Sequence, residues 1–250
     1  MTSPLKDKVG AKIVLAARSA DKIAALAERL GGVAVATDVT RAEDLTRLVD
    51  RTIECFGRID VLVNNAGANV RGDYAEITLD GVETVLQTNL LGPMRLTHIA
   101  LPHLKASRGV VINVASIAGH IALPGEAAYC TSKWGLRGFT FAMREELAAE
   151  GVALCAVSPG PISTPFILDD LANTPDLVFS QPFLTADQVA AAVVACALDR
   201  RRERALPAST LFLARLVQAM PWLQAILRPR LEAKGAKVKA GLAARAAAAS

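Results

Sequence analysis

The stretch Gly109-Val-Val-Ile-Asn-Val-Ala-Ser-Ile-Ala-Gly119 decides the fold. Its first six residues are almost continuously apolar and then give way to small ones. That pattern marks a strand covered on both faces, and such strands belong to parallel sheets flanked by helices. Residues 12–16, 33–37, 60–63 and 152–157 are further apolar runs of strand length. Between them, amphipathic stretches predict helices over residues 19–30, 41–56, 79–104, 126–150 and 185–198. Gly31-Gly32 is expected to end the first of these, and Thr40, ahead of Glu43, to cap the second. Repeated βα units in this order predict an α/β fold built on a parallel sheet.

Composition bounds the rest. A chain of 250 residues suits a single α/β core that needs neither disulfide nor metal. With 52% hydrophobic but only 4% aromatic residues, it fits buried strands under Ala/Leu-rich helices better than an aromatic-lined groove. Cys55, Cys130, Cys155 and Cys196 are widely spaced, with no Cys-x-x-Cys, so they read as reduced thiols and no metal site is expected. A net charge of +4 falls short of a nucleic-acid signature. Residues 1–9 contain no apolar leader, and no run reaches membrane-spanning length, so a cytoplasmic location is expected.

The chemistry concentrates in Tyr129-Cys-Thr-Ser-Lys133. Positions four apart share a helix face, so the phenol and the ammonium can enter the same cleft. A phenol with a pKa near 10 is a poor acid–base catalyst at neutral pH, and a nearby cation lowers it by roughly 1–3 units. Ser116 stands just past the 109–114 strand and 13 residues before Tyr129. Asn89 lies in Gln87-Thr-Asn-Leu-Leu-Gly92, within the predicted 79–104 helix.

Together with Asp38-Val39, Asn64-Asn-Ala-Gly67 and Ser158-Pro-Gly-Pro-Ile-Ser-Thr164, these residues resemble the short-chain dehydrogenase/reductase family, in order, over about residues 11–200. The resemblance implies a Rossmann-like doubly wound parallel sheet. It also implies hydride transfer between NADP(H) and an alcohol or ketone. Ser116, Tyr129, Lys133 and Asn89 take the catalytic roles in that reading. Tyr129 exchanges the proton and Ser116 holds the substrate oxygen. Lys133 tunes Tyr129 and binds the nicotinamide ribose, and Asn89 holds a water that links Lys133 to solvent. The implied cofactor residues are Arg18, Asp38, Val39, Asn65, Ala66, Gly67, Tyr129, Lys133, Pro159, Gly160, Ile162 and Thr164. Arg18 stands where NAD-preferring relatives carry an aspartate. A guanidinium there suits a 2′-phosphate, so NADP(H) is favoured over NAD(H). The resemblance further implies a homodimer or homotetramer and a small-molecule alcohol or carbonyl substrate. The apolar content of residues 161–184 leans toward an apolar one.

One part of the family pattern is missing. The family opens with a strand, Thr-Gly-x-x-x-Gly-x-Gly and a helix, but the only glycine before Lys12 is Gly10. Lys8-Val9 reads as the start of that strand, with roughly two dozen residues removed after it. If residues 12–16 pair directly with 60–63, the gap closes into a six-stranded sheet, and Arg18 and Ser19 take the place of the phosphate loop. The loop's N–H groups are worth about 1.5–3 kcal/mol each toward a phosphate. A catalytically silent family member, acting at most as an interaction module, is therefore the competing reading.

Residues 1–205 read as the Rossmann-like domain, incomplete at its N-terminal side, and 206–250 as an apolar and basic helical extension whose tail, residues 232–250, reads as a loose helix or as disordered. This extension could cover the substrate pocket, pack against another subunit or lie on a membrane surface, with the first two ranked above the last. His98 and His103 read as structural or surface residues, Cys130 as packing, and His120 as a candidate for the substrate-pocket wall.

Overall fold

The structure, a computed structural model, describes residues 10–249. Lys8-Val9, expected to begin the family's first strand, lie outside the described residues. Strand β1 (Val14–Ala17) leads through helix α1 (Ala20–Leu30) to β2 (Val33–Ala36), and the two strands pair in parallel. The reversal after α1 needs glycine twice. Gly31 is left-handed at φ 58°, and a Cβ on Gly32 would sit 2.7 Å from the Ile13 carbonyl oxygen. Helix α2 (Ala42–Phe56) returns the chain to β3 (Val61–Asn64). Thr40 does not cap α2. Its N–H and hydroxyl both donate to Asp38 Oδ1, so Asp38 organises the turn instead.

The single long helix expected over residues 79–104 is three segments. Helix α3 (Leu79–Leu86), capped by Thr78, passes through a π-helical turn (Gln87–Leu91) into α4 (Gly92–Ser107). Strand β4 (Val110–Val114) is fully buried, and helix α5 (Ala127–Glu146) follows. Strand β5 (Ala153–Pro159) is buried throughout. A four-residue helix α6 (Pro165–Leu168) and helix α7 (Ala186–Asp199) lead to β6 (Glu203–Leu206). Strand β6 lies in what the sequence offers only as a basic run, and it pairs with β5. Helices α8 (Ala208–Ala219) and α9 (Pro221–Ala249) complete the described chain, so of the two alternatives for the tail, a loose helix or disorder, the described residues form the helix.

The expected six-stranded sheet does not form among the described residues. Among the described residues β1 pairs with β2, while β3, β4, β5 and β6 form a separate parallel sheet in that order. Packing explains the division. Val35, with Val14 and Val33, sits in one core cluster with Leu45 and Leu48 of α2, Leu96 and Ala100 of α4, and Val111 of β4. The Val39 carbonyl lies so close to Gly92 that a Cβ there would stand 2.8 Å from it. Sliding β1 against β3 would move the pair by about one strand spacing, 4.8 Å, and pull these residues out of their contacts.

Candidate functional site

In open parallel sheets, ligands meet the carboxyl ends of the strands, and the sequence-predicted residues gather there. Ser116 follows β4 in an extended conformation and its hydroxyl accepts from the Ala118 N–H at 3.1 Å. Tyr129 and Lys133 lie one turn apart on α5, with Lys133 Nζ 5.6 Å from the phenol ring centroid. Lys133 is buried, and its Nζ donates to the Val114 carbonyl at 2.9 Å, which ties α5 to the end of β4. The Ser116 hydroxyl lies close enough to the phenol to favour its ionised form.

The electrostatics differ from what the Tyr/Lys spacing predicts. Desolvation pushes the Tyr129 phenol above its ordinary range, and the Glu126 carboxylate adds to this. The nearby Ser116 hydroxyl and the Arg71 charge pull in the other direction without overcoming it. Burial also pushes the Lys133 amine down, to about 8. In this state the tyrosine holds its proton and the lysine gives one up readily.

Asn89 sits in the π-helical turn and is fully buried. Its Oδ1 accepts from the Ala68 N–H at 2.8 Å. Its Nδ2 donates to the Ala68 carbonyl at 2.9 Å and to Ser132 Oγ at 3.0 Å. The side chain thereby pins the loop that carries exposed Asn65, Ala66 and Gly67 to the helix of Tyr129 and Lys133. Beneath that loop, Asn64 Nδ2 donates to Asn113 Oδ1 at 2.8 Å, and Asn113 Nδ2 donates to Thr140 Oγ1 at 2.8 Å. This buried relay locks β3, β4 and α5 in register.

Arg18 and Asp38 stand past the ends of β1 and β2, close enough for the guanidinium to help lower the Asp38 carboxyl. The larger causes are the hydrogen bonds from the Thr40 backbone and hydroxyl. Val39 is packed toward Gly92. Pro159 ends β5, and the Gly160 N–H donates to the Leu206 carbonyl at 2.7 Å. Ile162 bridges Leu184, and Thr164 stands just before α6, its hydroxyl turned back to the Ile162 carbonyl at 3.5 Å. The residues expected for the two ends of a dinucleotide thus lie on two different sheets.

Two clusters carry no signal in the sequence pattern. Arg71, buried, donates through Nε to Glu126 Oε1 at 2.8 Å and through Nη1 to Asp170 Oδ2 at 2.9 Å, and it lies over the Phe166 ring. Phe166 in turn faces Tyr129, with centroids 6.1 Å apart. Asn69 Nδ2 also donates to Glu126 Oε1, at 3.1 Å. These partners are 55 and 99 residues from Arg71, so no local pattern couples them. The second cluster centres on Glu203. His120 Nε2 lies 2.8 Å from its Oε1, to which Arg137 Nε and the Ser158 hydroxyl also donate. His120 is therefore buried inside an ion network behind the site, and is not part of the pocket wall expected for it. Its carboxylate partner was hidden as one acid among four arginines.

A nicotinamide dinucleotide, the cofactor implied by these motifs, fits the nicotinamide end well. The buried Lys133 amine is held beside a phenol at the strand ends, and the 65–67 loop is exposed and anchored by Asn89 at Ala68. At the adenosine end, Arg18 supplies an exposed cation.

Comparison with known proteins bears on the same segment. The family description "short chain dehydrogenase" matches residues 5–173. L-fucose dehydrogenase of Bos taurus is 39% identical over 169 residues, which cover 67% of this chain and 63% of the relative. The ketoacyl reductase HetN of Nostoc sp. is 37% identical over 168 residues, 65% of this chain and 58% of the relative. The match thus spans less than two thirds of the length of both relatives. Two solved structures share the fold at 23% identity. A short-chain dehydrogenase from Streptomyces avermitilis has a TM-score of 0.75 over 91% of this chain and 90% of its own. An alcohol dehydrogenase from Thermococcus sibiricus, complexed with 5-hydroxy-NADP, has a TM-score of 0.68 over 78% and 84%. With the family match extending over residues 5–173 and the expected serine, tyrosine, lysine and asparagine gathered at the strand ends, the chain belongs to the short chain dehydrogenase family.

Proposed function

We propose that this chain is an NADP(H)-dependent oxidoreductase that interconverts an alcohol and a ketone. The observation that carries this reading is the shared position of Ser116, Tyr129 and Lys133 at the end of β4, where the Lys133 amine is buried, lies 5.6 Å from the Tyr129 ring centroid and donates to the Val114 carbonyl. The cofactor, when bound, supplies or accepts the hydride. Ser116 orients the substrate oxygen, and Tyr129 delivers its proton to that oxygen as charge develops. Lys133, whose amine is pushed down to about 8, returns a proton to the tyrosinate and recovers one from solvent near neutral pH. The Asn89 side chain is committed to Ala68 and Ser132, so any water relay at this turn runs through its backbone.

Lys133 and the 65–67 and 159–164 segments would hold the nicotinamide end, and Asp38 with Val39 the adenine. Arg18 would pair with a 2′-phosphate, which is why NADP(H) is preferred to NAD(H) in this reading. The exposed Phe166, whose ring lies against Tyr129, and the exposed Leu168 on the same short helix support an apolar substrate. Residues 1–205 would form the catalytic domain and 206–250 its helical extension.

The second reading, a silent family member, is favoured by one observation. Gly10 is the only glycine before Lys12, so this reading takes the phosphate loop to be missing and the pyrophosphate to lack its usual N–H donors. The loss of two or three such contacts would weaken cofactor binding by a factor on the order of a thousand. Calorimetric titration of NADPH and NADH into the protein separates the two readings. Micromolar binding, tighter for NADPH and reduced to the NADH level in Arg18→Ala, is expected for the enzyme. No binding at millimolar cofactor would leave the silent reading standing.

A further inference from the structure

Helix α9 presents two different faces. Its inward side packs on the 176–180 turn. Gly235 is so close to Asp176 that any Cβ would overlap that residue's carbonyl oxygen. Lys239 Nζ donates to the carbonyls of Ala172 and Thr174, at 3.1 and 2.8 Å. On the opposite side, helical periodicity brings Trp222, Ile226, Arg230 and Lys237 together. Trp222 is 57% exposed and Ile226 53%, and Arg230 and Lys237 are exposed as well. On the preceding helix α8, Phe212 is 72% exposed. Large apolar side chains left open one turn apart on α9, as Trp222 and Ile226 are, mark an interaction surface.

Charge selects the partner. Residues 206–250 hold seven of the chain's 28 basic residues and one of its 24 acidic ones, so this segment stands at +6 while the rest of the chain stands at −2. We propose that the outward face of α9 docks on an anionic lipid bilayer. Trp222 and Ile226 enter the interface, where an indole is at home between acyl chains and headgroups. Arg230 and Lys237 stay at the headgroup phosphates, where each basic residue contributes about 1 kcal/mol of attraction. A second copy of the chain is a poorer partner. In a two-fold pairing of this face, each copy offers no acidic side chain from it to meet the partner's basic ones, since the segment's one carboxylate, Glu232, lies off this face by helical periodicity. The bilayer satisfies the apolar and the cationic side chains together, and the inward face remains fixed on residues 172–180. This inference does not depend on the oxidoreductase reading.

The test is co-sedimentation of the full chain with vesicles of phosphatidylcholine alone and with vesicles also containing phosphatidylglycerol. Binding at least about tenfold stronger to the anionic vesicles, weakened by salt, is expected, with a blue shift of tryptophan emission that Trp222→Phe removes. Arg230→Glu with Lys237→Glu should abolish the preference for anionic lipid. Trp222→Ser with Ile226→Ser should weaken binding at least about tenfold, while thermal melting shows both variants folded. Absence of vesicle binding, or binding undiminished in both folded variants, overturns the proposal. So does a self-associated species that Trp222→Ser with Ile226→Ser dissolves in the absence of any lipid binding.

Discussion

Burying Lys133 is expensive for the folded protein, and the cost is measurable. Its amine falls from 10.5 to about 8 on desolvation, so between these values the unfolded chain holds a proton that the folded chain has released. Stability therefore rises with pH across this window, and below pH 8 the penalty is present in full. Lys133→Met should remove that slope and stabilise the protein at pH 7 by on the order of 1 kcal/mol, after the loss of the bond to Val114 is counted. Chemical denaturation from pH 7 to 10.5 checks this, and turnover should vanish in the same variant. A neighbouring charge sets the other partner. Burial is the larger cause of the raised Tyr129 phenol, but Glu126 contributes, so Glu126→Gln should bring it down. Gln can still accept from Arg71 Nε, and Asp170 keeps its hold on Nη1. Tyr74 is the only other tyrosine, so ultraviolet titration of tyrosinate in a Tyr74→Phe background reads the shift directly. An unchanged titration would mean that desolvation alone holds the phenol up.

At the scale of elements, strand β6 shows what sequence pattern can and cannot deliver. The strands at 110–114 and 153–159 are legible because burial on both faces leaves a continuous apolar run. The four-residue β6 is an edge strand that carries Glu203 inward, and no pattern reader places a carboxylate there. Its inward direction is set by partners far along the chain. Desolvation alone would raise the Glu203 carboxyl, but the hydrogen bonds and charges of His120 and Arg137 outweigh it and carry the group down to about 2. A depressed carboxyl contributes stability above its unfolded value near 4.5 and loses that contribution as pH falls toward 2, here about 3 kcal/mol. Glu203→Gln should therefore cost roughly that much at neutral pH and flatten the acid limb of the stability curve. The π-helical turn at Asn89 was equally unreadable, since an added residue in a helix leaves its period almost intact. The residues of the site were legible, because Tyr129, Lys133 and Ser116 are bound to their elements by short sequence offsets. The Arg71–Glu126–Asp170 cluster was not, because only the tertiary fold brings its members together.

At the scale of the whole molecule, the division into a two-stranded and a four-stranded sheet has consequences for both stability and binding. A lone pair of strands is marginal in water and depends on what packs against it. Here β1 and β2 lean on the cluster shared with α2, α4 and β4, whereas β4 and β5 each have strand neighbours on both sides. Amides of β1 and β2 should thus exchange through local opening at a lower free energy than those of β4 and β5, which should report global unfolding. Arg18 and Asp38, the residues proposed for the adenosine end, hang from this less stable pair. A cofactor that binds across both sheets must order the weaker one, and the energy of doing so is subtracted from its affinity. NADPH should then raise protection in residues 14–17 and 33–36 more than in 110–114, and hydrogen exchange with and without NADPH tests both statements in one experiment. Equal protection of the two sheets in the free protein would mean that they are joined in solution by pairing that the described residues do not contain. Protection that stays unchanged on saturation with NADPH would place the bound nucleotide on the four-stranded sheet alone, with no role for Arg18.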